Sequence, residues 1–340
     1  MKTLNRILFV LLFIPALHAQ DFYKGPLYGK NQFIPQMIYY NFPATSARSG
    51  NAFDLEYHVA TYLSNDVMFQ LDEKEYDKFI KSNAPRSYPK KNVVRDNELW
   101  SNEVEVSFRP LSELQIGTNL RVLSYSGGFL DPIIEGFHGI FHFPNAGRDY
   151  FLQNQLYVNI PNDNGVPLFL DKPTVAFGDI DLWAKYTFWE NKLWSLAAMG
   201  AFKIPTGRLA TLSGSGYPDI GAAMLADVRP LWWLALYMQA GLVVPFDGRS
   251  YPMFNGVAAA EFSLSELFSL NAQFNIKTSA LSHKTIKRIA LPQTNFLFGF
   301  IFRHRQFTWQ FYMEEDPFTY QGTDFTWNLM FSHKIPLQKN

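Results

Sequence analysis

The sequence predicts an all-β protein, an antiparallel transmembrane β-barrel of about 12 to 14 strands with a plug-like or periplasmic N-terminal segment and a long loop insertion. Three observations predict this fold. The chain begins with an export signal, no later window forms a long uncharged apolar run, and successive segments alternate apolar and polar side chains with a period of two. Only helices and closed barrels satisfy their backbone hydrogen bonds inside a bilayer, so an exported chain without a spanning helix points to a barrel.

The export signal occupies residues 1–19. Lys2 and Arg6 precede an apolar run from Ile7 to Ala16, and small residues follow up to Ala19. This order is typical of a secretory signal peptide cleaved after Ala19. The apolar run is shorter than the ~20 residues that a membrane-spanning helix requires, so we do not expect it to act as an anchor.

The composition narrows the functional classes. Aromatic residues make up 17% of the chain, with 32 Phe, 17 Tyr and 8 Trp, which is high for a soluble domain. Thirty acidic and thirty basic residues cancel, so the charge does not favour nucleic acid as a partner. The absence of cysteine excludes a disulfide scaffold and thiolate chemistry. No nucleotide-binding glycine motif is present, and we expect no cofactor.

Residues 20–50 form an irregular, proline-containing N-terminal segment with two open interpretations. Phe33–Phe42 is long enough for a first strand, although Pro35 restricts it to an edge or an end. Alternatively, the segment is a small periplasmic or lumenal plug.

The barrel is predicted to span residues 51–335, followed by a tail at 336–340. The first alternating run, Phe53–Leu63, is predicted to turn at Ser64–Asp66, with Asp72–Lys91 as a long exposed loop. Later strands are predicted near residues 100–108, 114–122, 180–188, 194–204, 220–228, 232–244, 254–264, 268–278, 296–302, 307–313 and 325–331.

The connections and the apolar faces favour a membrane barrel over a soluble β-sandwich. Short turns alternate with long loops, and an even strand count of about 14 results if Phe33–Phe42 is a strand, or about 12 if it is not. A sandwich would also alternate, but the phenylalanines of 296–302 facing 307–311 bring more bulk than a ~10 Å core holds.

The segment 126–176 is predicted to be a loop insertion, whose part Gly127–Tyr150 occupies or covers the lumen. Its side chains that could do chemistry are Asp131, Glu135, His138, His142, Arg148 and Asp149. The first four are spaced by four, three and four residues and would share one side of a helix, where His138 and His142 form half of a zinc site. The competing interpretation is hydrogen bonding within a folded loop, with an ion pair between Arg148 and Asp149.

A second set of charged residues is predicted to face the lumen: Asp54, Glu56, His58, Glu103, Glu105, Arg121, Asp179, Asp181 and Lys185. Charges of both signs in a lumen could select a solute or relay a proton. Alternatively, they cross-link and stiffen a plugged lumen. The later strands present small or apolar interior residues such as Ala197, Met199 and Ala223, which suits a partly apolar passage.

Several segments resemble an uncharacterised family of exported bacterial proteins that carry a domain of unknown function and are regarded as outer-membrane barrels. The resemblance lies in Gly25-Pro26-Leu27 to Asn31-Gln32, Gly127-Gly128-Phe129-Leu130-Asp131, Ile134-Glu135-Gly136-Phe137-His138, Asn145-Ala146-Gly147-Arg148-Asp149 and Gly178-Asp179-Ile180. It covers nearly the whole mature chain and implies location and fold, without an activity to carry over. More distantly, the layout is similar to that of long-chain fatty-acid transporters. One departure is that Phe331 precedes a further stretch, Ser332–Asn340, whereas such barrels usually end on an aromatic residue.

We therefore expect a bacterial outer-membrane barrel that gives passive or loop-gated passage to a small solute, with a hydrophobic solute as one option. The alternative is a non-transporting surface-binding or structural barrel with a fixed plug. An enzyme is less favoured, because His58 and Ser107 belong to no catalytic pattern. The expected partners are outer-membrane lipid, the assembly machinery during biogenesis and the solute.

Overall fold

A computed structural model describes residues 23–70, 93–142, 152–161, 167–281, 290–316 and 323–337. These residues form fifteen β-strands and one α-helix, besides short 3₁₀ turns. The strands are β1 (Asp54–Gln70), β2 (Val93–Phe108), β3 (Leu114–Ser126), β4 (Tyr157–Ile160), β5 (Leu168–Leu170), β6 (Thr174–Phe177), β7 (Ile180–Glu190), β8 (Trp194–Ile204), β9 (Asp219–Leu231), β10 (Leu234–Pro245), β11 (Met253–Ser263), β12 (Phe268–Lys277), β13 (Gln293–His304), β14 (Phe307–Glu315) and β15 (Phe325–Pro336). The helix α1 spans Asp131–Phe141.

Twelve antiparallel strands, β1–β3 and β7–β15, close into a barrel. The closing ladder joins β1 to β15, from Asp54 opposite Pro336 to Asn65 opposite Phe325. The three short strands extend this wall: β4 pairs with the far end of β2, β5 pairs with β4, and β6 continues the β7 ladder along β3. The predicted all-β barrel is thus confirmed, at the lower strand number.

The alternation of side chains divides the barrel into an apolar outside and a polar inside. Outward positions such as Val104, Leu120, Phe298 and Trp309 are exposed, although they are large and apolar. A continuous exposed apolar surface of this kind is typical of a wall that faces lipid. Among the described residues, no helix has the length and apolarity needed to cross a membrane.

The predicted turn at Ser64–Asp66 is wrong, because β1 runs without interruption to Gln70. All three turn residues are buried, and Asn65 lies opposite Glu98 of β2 within the ladder. Ser64 and Asp66 face the polar lumen, whereas Asn65 lies on the opposite face of β1 and donates to Asp131 at the start of α1. The predicted loop 72–91 and the predicted signal peptide lie outside the described residues.

The N-terminal segment, Tyr23–Gly50, lies inside the barrel and is buried along most of its length. Tyr23 contacts Leu231 at the end of the barrel where the short turns lie, which we call the short-turn end. The segment then crosses to the long-loop end, forms a 3₁₀ turn at Gln36–Ile38 and returns, since Gly50 contacts Ser112 in the β2–β3 turn. Of the two interpretations, the strand at Phe33–Phe42 is wrong and the lumenal plug is the observed structure.

A hydrophobic cluster seals the long-loop end around the apex of this segment. The hairpin β4–β5 contributes Val158, Ile160, Leu168 and Leu170. The cluster also includes Phe33, Ile34, Met37, Leu99, Leu123, Tyr125, Leu212, Met253 and Leu281. These side chains come from several loops and strands, so the lumen is closed at this end by tertiary packing.

The helix α1 does not fill the lumen. Its apolar residues Ile133, Phe137 and Ile140 are exposed, with Ile140 exposed to 75%. The rest of Gly127–Tyr150, residues 143–150, lies outside the described residues. Within the described part of the predicted insertion, the β4–β5 hairpin contributes to the cluster that closes the lumen. The N-terminal segment fills the interior.

Candidate functional site: the plugged lumen

The buried N-terminal segment has little regular structure, so its backbone groups need partners from the wall. Inward-facing basic side chains supply donors. Arg95 Nη1 donates to the Ile34 carbonyl at 2.9 Å, and Lys203 Nζ donates to the Ile38 carbonyl at 2.9 Å. Lys277 Nζ donates to the carbonyls of Gln36 and Tyr40 at 3.0 and 3.2 Å and to Asn41 Oδ1 at 2.7 Å.

Inward-facing carboxylates accept the N–H groups of the same segment. Four acceptors are spread around the wall, and each binds one part of the segment. They are Glu261 with Lys24 and Gly25, Asp219 with Tyr40, Asp227 with Ala47, and Glu190 with Ser49. The plug is therefore held by side chain to backbone contacts and adds no strand to the barrel ladder.

Ion pairs fix the segment and the wall at two levels. Lys30 Nζ lies 2.8 Å from Glu103 Oε2, and both side chains are buried. Nearer the long-loop end, Lys203 Nζ lies 2.8 Å from Asp179 and 3.1 Å from Asp219. Buried charges of opposite sign that also hydrogen-bond compensate part of the cost of leaving water.

The nine charged residues predicted to face the lumen all lie in the barrel interior. Glu103, Glu105 and Lys185 contact the plug directly: Tyr28 donates its hydroxyl to Glu105, and Lys185 Nζ donates to the Ser46 and Arg48 carbonyls. Asp179 accepts the Gly207 N–H and holds Lys203.

The remaining predicted lumenal residues lie beside the plug. Glu56 pairs with His58 at 3.3 Å and with Lys334 at 4.0 Å. Asp54, Arg121 and Asp181 are buried, and each has at least one side-chain atom without a hydrogen-bond partner among the described residues.

Sequence reasoning missed an equally important set of interior charges: Arg95, Lys203, Asp219, Asp227, Glu261, Lys277 and Glu314. The sequence did contain a signal for these charges. On β8, β9, β11 and β12 they stand an even number of residues from small or apolar residues that were predicted to face inward, such as Ala197 and Ala223. These small neighbours leave the space that the plug occupies. Gly221 and Gly241 show this most clearly, because a Cβ at either position would lie 2.7 and 3.0 Å from the Phe42 ring.

The insertion candidates do not form a shared chemical site in the structure. Asp131 accepts hydrogen bonds from Asn65 Nδ2 at 3.0 Å and from the Asn154 N–H at 2.6 Å, while Glu135 accepts one from Gln153. His142 is the C-cap of α1, in the left-handed region, and is exposed. Within the described ranges, no group of three His, Cys, Asp or Glu side chains is arranged to hold a metal ion. Arg148 and Asp149 lie outside those ranges.

A cavity of about 200 Å³ remains between the plug and the wall towards the short-turn end. The plug contributes Tyr23–Pro26, Tyr28, Pro43–Ser46, Arg48 and Ser49. The wall contributes charged residues, among them Glu56, Glu105, Arg109, Lys185 and Arg303, and the apolar side chains Trp183, Met199 and Met330. At the rim, burial lowers the pKa of Lys24 to about 8, against the opposing effect of Glu261.

Comparisons with known proteins agree with the fold. Residues 58–335 match the family described as "Protein of unknown function (DUF3187)". No curated protein matches the sequence. Among solved structures, the COG4313 outer membrane channel from Pseudomonas putida F1 is similar, with TM-score 0.56 and 11% identity over 85% of this chain and 98% of that one. The KdgM porin has TM-score 0.43 and 4% identity, over 82% of this chain and 98% of its own. A TodX deletion mutant, a monoaromatic hydrocarbon channel, has TM-score 0.42 and 10% identity, over 91% and 99%. The first of these shows the fold that this chain shares with an outer membrane channel.

Proposed function

The chain belongs to the family described as "Protein of unknown function (DUF3187)", and we propose that it is a bacterial outer-membrane barrel for the passage of a small solute. Its path is closed by the segment Tyr23–Gly50 and opens when that segment leaves the lumen. The fold shared with an outer membrane channel and the apolar outer wall support this location.

One observation carries the proposal: the plug can leave without breaking the wall. The barrel closes through ladders between its own strands, including the twelve residue pairs of β1 and β15, and the plug pairs with none of them. Removal of a strand would open the sheet edge, whereas removal of this segment leaves every strand pair in place. It exposes the inner face of the wall, with its polar side chains and, at the long-loop end, the apolar side chains of the hydrophobic cluster. The polar side chains can be solvated by water.

The internal packing supports a removable plug rather than a solid barrel core. Glycines at 221 and 241 and alanines at 197, 223 and 235 line the side facing Phe42 and Tyr23. These small residues fill little of a lumen once the segment is absent. The interior would then be wide and mixed in character, with charged groups on β1–β3 and β7 and small residues on the later strands.

The second candidate is a non-transporting barrel in which the plug is permanent. The hydrophobic cluster at the long-loop end and the spread of backbone contacts around the wall favour it. The two functions differ in whether the segment leaves the lumen of the intact chain.

Planar-bilayer conductance tests the proposal. The refolded protein beginning at Gln20 is compared with a variant that lacks residues 23–47, and barrel formation is checked by heat-modifiable migration in detergent gels. We expect rare or small current steps from the intact chain and large, discrete steps from the deletion variant.

A control variant replaces α1, Asp131–Phe141, with a short Gly/Ser linker. Because α1 is largely exposed, the conductance of this variant should match that of the intact chain. A folded deletion variant without current steps would contradict the proposal. An intact chain that never conducts, beside a deletion variant that does, would favour the permanent plug.

A further inference from the structure

The cavity at the short-turn end has an excess of positive charge. Six basic residues line it against two acidic ones: Lys24, Arg48, Arg109, Lys185, Arg303 and Lys334 against Glu56 and Glu105. Both carboxylates already have partners. Glu56 contacts His58 and Lys334, and Glu105 accepts the Tyr28 hydroxyl.

Arg109 is the buried cation with the most unused donors. It follows β2, is 7% exposed, and its Nε and Nη1 have no hydrogen-bond partner in the described part of the chain. No described carboxylate oxygen lies within 4.0 Å of its guanidinium nitrogens. Gly50 packs against the guanidinium, where a Cβ would lie 2.6 Å from Nε, so the side chain is held in place. The carboxylates of Glu56, Asp54 and Glu190 act on it without forming an ion pair.

Lys185 places a second basic side chain in the same cavity wall. Its Nζ donates to two neutral carbonyls, those of Ser46 at 2.7 Å and Arg48 at 3.1 Å. An ammonium group has three donors, so one remains for a ligand. A guanidinium and an ammonium with free donors match the oxygens of a carboxylate, and a planar fork such as that of Arg109 can bind both oxygens.

Beside these cations the lining, which is otherwise largely polar, has an apolar patch that suits a hydrocarbon group. Trp183, Met199 and Met330 of the wall lie near Pro43 and Ala44 of the plug. The Trp183 Nε1 donor also lacks a partner among the described residues. An apolar patch next to fixed polar groups can orient a small molecule that has both an apolar and a polar part.

We propose that this cavity binds a small organic anion, with its carboxylate on Arg109 and Lys185 and an apolar part of ring size against Trp183 and the methionines. The site deepens the proposed function by naming the class of solute. That the bound anion passes through the barrel rests on the proposed function, whereas its binding in the cavity requires no open path.

Calorimetric titration of the refolded, full mature chain with benzoate tests the site, with the neutral analogue benzamide as the matched ligand. Benzoate should bind saturably and benzamide at least about tenfold more weakly, since a charge-assisted hydrogen bond to a buried partner exceeds a neutral one. Raising the salt concentration should weaken benzoate binding only modestly, because the cations are buried.

Arg109→Gln should weaken benzoate binding by about tenfold or more. Arg208→Gln removes the same charge from an exposed loop at the other end of the barrel and should leave binding within about twofold. Should Arg109→Gln fail to refold, Lys334→Gln provides a second test at a half-buried rim position and should weaken binding in the same direction.

Equal binding of benzoate and benzamide would overturn the proposal, as would absence of binding to the intact, refolded chain or an effect of Arg208→Gln equal to that of Arg109→Gln. These outcomes are separate from the conductance of the deletion variant. If the deletion variant conducts but the intact chain does not bind benzoate, the proposed function stands and the proposed class of solute is wrong.

Discussion

Lys30 in the N-terminal segment and Glu103 on β2 form an ion pair of 2.8 Å inside the barrel, with exposures of only 4% and 2%. Glu103 also accepts a hydrogen bond from Asn119 of β3 at 2.8 Å, so the carboxylate joins the plug to two strands of the wall. Because this pair links a segment outside the sheet to the sheet itself, its removal should act on plug retention before it acts on the barrel.

Removing one partner of this pair should release the plug more than removing both. Lys30→Met or Glu103→Gln leaves a buried charge without its partner, at a cost of about 3–5 kcal/mol, whereas the double variant removes both charges. Limited proteolysis of the N-terminal segment measures the release. We expect faster cleavage in each single variant and partial recovery in the double variant; simple additivity of the two single effects would contradict the coupling.

Lys203→Met should destabilise the barrel strongly. The substitution leaves Asp179 and Asp219 as adjacent buried carboxylates and removes the donor to the Ile38 carbonyl. The expected loss is about 3–5 kcal/mol, measured by urea unfolding in lipid vesicles followed by tryptophan fluorescence. Lys192→Met, in the exposed β7–β8 turn, is the control and should unfold like the original chain.

Gly221→Val should displace the plug by steric conflict alone. A Cβ at this position would lie 2.7 Å from Phe42 Cζ, too close for either atom to stay in place. We expect more frequent current steps than in the original protein, since overpacking costs about 1–3 kcal/mol and the segment is the movable partner. Gly200→Val on the exposed outer face meets no atom within 4 Å and should conduct like the original chain.

Retention of the plug should increase with pH above about 8 through Lys24. Burial lowers its pKa to about 8 from the ordinary 10.5, although Glu261 opposes the shift. Between these values the released segment binds a proton that the seated segment does not, so rising pH favours seating. Below pH 8 the cost of the seated, charged ammonium is present in full.

The measurement is the open fraction of the channel from pH 7.5 to 10.5, compared with that of Lys24→Gln. The original chain should close progressively relative to the variant across this window. Parallel curves for the two proteins would contradict the role of Lys24.

The wall of the barrel could be predicted from sequence because each strand carries a local pattern. A strand between lipid and lumen must alternate apolar and polar side chains, so the sequence of a run such as Phe296–Phe302 is enough to predict a strand. Ser64–Asp66 failed as a predicted turn because turn propensity describes exposed backbone, whereas these residues are buried within β1.

The location of the plug could not be reached from the same reasoning. Tyr23–Gly50 has no period, since its backbone is satisfied by side chains from at least six distant strands rather than by neighbours in sequence. The proximity of Arg109 and Lys185 could not be predicted from the sequence either. Lys185 was predicted to face the lumen, but Arg109 falls between the predicted strands 100–108 and 114–122, and only the closed barrel brings the two to one cavity.

A reversible lock on the plug is the most direct test of the gating claim. Ser46 of the plug and Asp227 of β9 are hydrogen-bonded, and the chain contains no cysteine, so Ser46→Cys with Asp227→Cys introduces a single pair of thiols. The account predicts no current steps in the oxidised double variant and clear steps in the same molecules after reduction. Identical conductance before and after reduction, with the disulfide verified, would contradict a gate formed by the N-terminal segment.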